Sequence, residues 1–131
     1  MKKIGLLNQP LSGVIAGMGH LDMLTVADAG LPIPPGPERI DLAVSQGVPA
    51  FMDVLRAVLG ELQVQGAVIA AELPQRSPTL YAALIEALGD CPVEQVPHEV
   101  FKARTAGTRA VVRTGEFTPY ANVILVAGVV F

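Results

Sequence analysis

Only two histidines, His20 and His98, occur in this 131-residue sequence. They carry its clearest capacity for proton transfer, because imidazole is the side chain that ordinarily titrates near neutrality. His20 stands in "AGMGHLDMLTVADAG", behind a cluster of glycines, and Asp28 closes the apolar run that follows it. His98 comes directly after Pro97 in "QVPHE", and Tyr120 and Asn122 belong to a polar island, "TPYAN", ahead of an intensely apolar segment. Polar groups in such a place need partners. Acid–base catalysis, metal binding and the holding of a polar ligand are all open to this set. Two histidines and a carboxylate can form an open facial triad, but no H-x-H or H-x-x-x-H spacing favours a metal. Plainer roles exist for each residue. His20 could cap a helix C-terminus, where the dipole favours a cation. His98 could lie in a surface loop, Asp28 could bind the amides of the next turn, and Tyr120 and Asn122 could close a turn.

Other chemistries find little support. The glycines of "GVIAGMG" (13–19) suggest a phosphate loop, yet such a loop follows a strand and opens a helix. Here the order is reversed. No serine sits in a G-x-S-x-G elbow, and Cys91 has no histidine near it in sequence, so a covalent nucleophile has no candidate. One cysteine excludes an intramolecular disulfide and a thiolate zinc cluster. The net charge of −3, with scattered Lys and Arg, offers no basic stripe for nucleic acid. No apolar run approaches the ~18 residues of a membrane span, and "MKKIGLLNQP" turns polar too early for a leader. Cytoplasm is the expected compartment. Hydrophobic residues nevertheless make up 51% of the chain. Monomers rarely expose large apolar patches, so an oligomer is expected.

The elements that must position these residues follow from periodicity. Leu11, Val14, Ile15 and Met18 predict a short amphipathic helix over about 9–18. "MLTVA" (23–27) reads as a buried strand, "GLPIPPGP" (30–37) as irregular, and "RIDLAV" (39–44) as a second strand. Apolar positions 51, 52, 55, 58, 59 and 62 form a helical stripe after Pro49, and "AVIAAE" (67–72) is a strand. Ser77 and Pro78 are a good N-cap and N1 pair for a helix running to Gly89. "VEQV" (93–96) is a strand, a short polar helix follows His98, and "AVVRT" (110–114) is another strand. "NVILVAGVVF" (122–131) is apolar enough to be buried on both sides. The alternation predicts one domain over 1–131, a three-layer α/β/α fold with a largely parallel sheet. Asp28 and His98 then fall at carboxyl ends of strands, where open sheets place ligands.

"GMGHLDMLTVADAGLPIP", "VPHEVFK" and "RTGEFTPYANVIL", in this order along the whole chain, closely resemble the D-ribose pyranase family. The related L-fucose mutarotase branch shares the glycine–histidine and "GE…Y-x-N" elements but lacks "DAGLPIP" and "PHE". The resemblance implies the pyranase fold, with His20 as catalytic acid/base. It further implies that Asp28, His98, Tyr120, Asn122 and the backbone around Ala121 bind sugar, with Lys102 a weaker candidate. Two stacked rings of five subunits, with D-ribose held at a subunit boundary, are implied as well.

The implied reaction interconverts pyranose and furanose D-ribose, feeding ribose catabolism. It moves protons and transfers neither electrons nor groups, so no cofactor and no metal is called for. General acid–base assistance of ~10²–10⁴-fold is ample for a reaction that already proceeds in water. A fucose-type mutarotase and a non-catalytic ribose-binding accessory of a transporter are the rival expectations.

Overall fold

The computed structural model describes residues 1–131. Helix α1 (Gln9–Gly17) starts where the Asn8 side chain accepts the Leu11 amide at 3.0 Å. It is followed by β1 (Met23–Ala27), β2 (Glu38–Asp41), α2 (Phe51–Leu59), β3 (Val64–Ala70) and the single-turn α3 (Leu73–Arg76). Then come α4 (Pro78–Leu88), β4 (Val93–Val96), α5 (His98–Thr105), β5 (Ala110–Arg113) and β6 (Val123–Ala127). The strands form one sheet in the order β2-β5-β1-β6-β3-β4. On one face, α1, α2 and α4 bury Leu11, Ile15, Phe51, Leu55, Val58 and Leu84 against Leu24, Val26, Ile69 and Leu125. On the other, Phe101 of α5 and Leu31 of the proline-rich loop cover Ala27, Val68, Val111 and Ile124. The fold is therefore three-layered, with its helices shared unequally.

Three expectations change in detail. The sheet is mixed, because β6 runs antiparallel to both neighbours, β1 and β3, while the other three pairings are parallel. Residues 114–122 are too few for the crossover of about a dozen or more that a parallel neighbour requires. Strand β2 ends early, since the Asp41 carboxylate takes the Ala43 amide at 3.1 Å and turns the chain. The apolar tail is only half strand. β6 stops at Ala127 opposite Val64, the first residue of β3. Beyond it the chain leaves the sheet, and Val130 and Phe131 are fully exposed.

Candidate functional site

With β6 reversed, the residues just before β6 and those just after β1, β3 and β4 share one end of the sheet. Asp28, Glu72, His98, Tyr120 and Asn122 meet there. The Asp28 amide donates to Asn122 Oδ1 at 2.9 Å, and Asn122 Nδ2 donates back to Asp28 Oδ2 at 2.9 Å. Gly30 N–H holds the other carboxylate oxygen at 2.9 Å, which fixes the plane of the acid. Asn122 is fully buried, so it acts here on Asp28. Ala121 is buried as well. Tyr120 stands in the left-handed region at φ 62°, a conformation uncommon for a bulky residue and one that concentrates at functional sites.

The Tyr120 ring meets the His98 ring edge-on, with centroids 5.0 Å apart. His98 also lies parallel to Phe101 at 6.3 Å, and its backbone amide donates to the Glu72 carboxylate at 3.1 Å. Its Nδ1 is buried with no partner. Asp28, Arg76, His98 and Tyr120 line a recess of about 310 Å³, a size suited to a small polar molecule. Lys102, one turn beyond His98, pairs with Glu99 at 2.7 Å and does not line it.

Glu116 and Ser77 brace this end, and the sequence marked out neither as a site residue. Glu116 accepts the Phe51 amide at 3.1 Å and the Thr118 hydroxyl at 2.7 Å, while its carbonyl takes the Ala29 amide at 2.8 Å. It thus caps α2, whose own N-cap, Ala50, has no side chain to do so, and ties the loops bearing Asp28 and Tyr120 together. Burial pushes the Glu116 carboxyl up. The bonds from Thr118 Oγ1 and from the Phe51, Thr118 and Phe117 amides outweigh this and leave it below the usual carboxylate value. Next to it, a Cβ on Gly115 would run into the backbone of Ser45 and Val48. Ser77 occupies the N-cap position of α4 but makes no capping bond. Its buried hydroxyl donates to the Pro119 carbonyl at 2.8 Å instead. The capping expectation is thus replaced by a tie to the Tyr120 loop. Glu72, two residues past the end of β3, was not singled out by the sequence, which ran that strand through it.

His20 lies elsewhere. It precedes β1 whereas Asp28 follows it, so the length of the strand, roughly 17 Å at an extended rise, divides them. Helix α1 is capped by Met18, so His20 is not its cap. His20 is exposed on a tight turn whose next residue, Leu21, has φ 69°. The turn is pinned by Leu21 N–H to the Ala127 carbonyl at 2.9 Å and by Gly19 N–H to Asp22 Oδ2 at 2.8 Å. The Arg109 guanidinium, 2.9 Å from Asp22, and then the Gly19 amide hold that carboxyl below its usual range. His20 Nε2 is 2.9 Å from Gln65 Oε1. The two histidines therefore do not converge, and no group of three or more His, Cys, Asp or Glu side chains could hold a metal within one chain.

Known proteins match this chain along its full length. A D-ribose pyranase of Coprothermobacter proteolyticus is 54% identical over 131 residues, spanning all of both chains. A D-ribose pyranase of Laribacter hongkongensis is 55% identical over the same extent. The structure of Bacillus subtilis RbsD complexed with D-ribose matches with a TM-score of 0.97 at 44% identity, covering both chains completely. The fucose mutarotase of Streptococcus pneumoniae, in complex with L-fucose, shares the fold at a TM-score of 0.78, 23% identity and 95% of each chain. Residues 1–130 match the family model itself, and the chain belongs to the RbsD / FucU transport protein family.

Proposed function

We propose that this chain is a D-ribose pyranase, an isomerase that interconverts the six- and five-membered rings of D-ribose. The observation that carries the reading is the oriented Asp28 carboxylate at the rim of a recess bounded by His98 and Tyr120. A polyhydroxylated ligand needs such mixed donors and acceptors. Full-length relatives of 54–55% identity that bear the pyranase name support the choice of sugar. Ring opening removes the proton from the anomeric hydroxyl, breaks the bond from C1 to the ring oxygen and protonates that oxygen. Closure lets the 4-hydroxyl attack the aldehyde carbon, lose its proton and return one to the carbonyl oxygen. His20 is the acid/base. Asp28, His98 and Tyr120 hold the sugar, Asn122 and the backbone of Ala121 shape that hold, and Lys102, outside the recess, is the weaker candidate.

Because β1 divides His20 from Asp28, one complete site takes His20 from one subunit and the Asp28 cluster from another. A decamer of two stacked pentamers provides that boundary, with residues 1–131 acting as a single domain in the cytoplasm. Magnetisation transfer between ribopyranose and ribofuranose anomeric signals tests the activity. Catalytic amounts of protein should accelerate exchange. A response only at stoichiometric protein would mark a binding accessory, and stronger acceleration with L-fucose would reassign the substrate.

A further inference from the structure

We infer that Gln65 is a positioning residue that holds His20 with its proton on Nε2, leaving the Nδ1 lone pair to exchange protons with the sugar. The inference rests on the acid/base reading of His20. Gln65 Oε1 is 2.9 Å from His20 Nε2, and with the amide in this orientation its carbonyl oxygen can only accept, which makes Nε2 the donor. A partner on one ring nitrogen sets the role of the other.

The backbone is shaped to deliver this side chain. Val64 pairs with Ala127 and Gly66 with Val126, so Gln65 is an extra residue in β3. Such bulges bend a strand and re-aim a side chain beside functional sites. A Cβ on Gly128 would sit 3.0 Å from Gln65 Cβ and 3.3 Å from its Oε1, so glycine there leaves the Gln65 side chain its path. The Gly128 amide, donating to the Gln63 carbonyl at 2.9 Å, holds this crossing in register. On the His20 side, Leu21 and Asp22 are both bonded to the Ala127 backbone. The bulge and the histidine turn are therefore fixed to the same short piece of β6. Asp22 and Arg109, the charged groups of the turn, are paired with each other, and the amide of Gln65 is the one side chain bonded to the ring.

Long-range proton–nitrogen correlation on ¹⁵N-labelled protein reads the tautomer directly, with the two histidines assigned by a His98→Asn spectrum. Neutral His20 should show the proton on Nε2. In Gln65→Leu the tautomers should mix, and kcat for ribose exchange should fall by up to about 100-fold with KM little changed. Gln65→Glu keeps an acceptor for Nε2 and should retain the tautomer. Its carboxylate favours the imidazolium, so activity should be regained at high pH on a profile displaced upward. A merely structural glutamine would not move that profile. A proton on Nδ1 in the wild type, or a Gln65→Leu variant with unchanged kcat beside an inactive His20→Ala, overturns the proposal. Full exchange activity in His20→Ala would instead remove the acid/base reading on which it rests.

Discussion

Asp28 and Asn122 exchange two hydrogen bonds across 94 positions of sequence, and a truncation of either strands its partner. Asn122→Ala leaves the Asp28 amide and one carboxylate oxygen without their bonds. Unmade bonds of this kind cost about 1–3 kcal/mol. The variant should lower the denaturation midpoint and weaken ribose binding by titration calorimetry, because the Asp28 plane is no longer fixed. His20 is the opposite case. It is exposed and packs no core, so His20→Ala should keep the wild-type thermal transition and its ribose binding. Exchange in that variant should fall by about 10²–10⁴-fold, the share that acid–base assistance commonly carries. A variant that exchanges ribose normally would remove His20 from the chemistry.

The elements show which signals a sequence displays. β1, α4 and β4 were legible nearly to the residue, because their apolar spacing and the proline and glycine punctuation are local. Asp28, His98, Tyr120 and Asn122 were legible for a related reason: polar types interrupt apolar runs at strand ends. What stayed hidden acts at long range. The direction of β6 depends on a short link, the bulge at Gln65 on pairing with β6, and the α2 cap on Glu116, 65 positions away from Phe51. That cap has a pH signature. The folded Glu116 carboxyl lies below its ordinary 4.5, so the native state binds its proton more weakly than the unfolded chain does. Its stabilisation is complete above 4.5 and is lost as pH falls through the lower folded value. Melting temperatures of wild type and Glu116→Gln should therefore differ near neutrality and converge on acidification below 4.5. A constant gap would assign the effect to shape rather than charge.

On the scale of the whole molecule, His20 and the Asp28 cluster occupy opposite ends of the sheet, and a shared site makes this testable. Unfolded His20→Ala and Asn122→Ala chains, mixed and refolded together, should recover part of the exchange that neither shows alone. Sites confined to one chain would give no rescue, since each would keep one lesion. Light scattering checks the assembly itself, and an active particle of 13.7 kDa would end the shared-site account. The placement of β6 has a further consequence, for synthesis. It is the last strand in sequence yet lies between β1 and β3. Without it the sheet order divides into two parts, β2-β5-β1 and β3-β4, each with an open inner edge. Unpaired edges of this kind recruit other chains. The finished outer edges, "ERID" and "VEQV", are short and polar, but the inner edges have only β6 to cover them. A chain released before Val123 would thus be prone to self-association, and the nine residues from Val123 to Phe131 decide whether the earlier ones stay soluble.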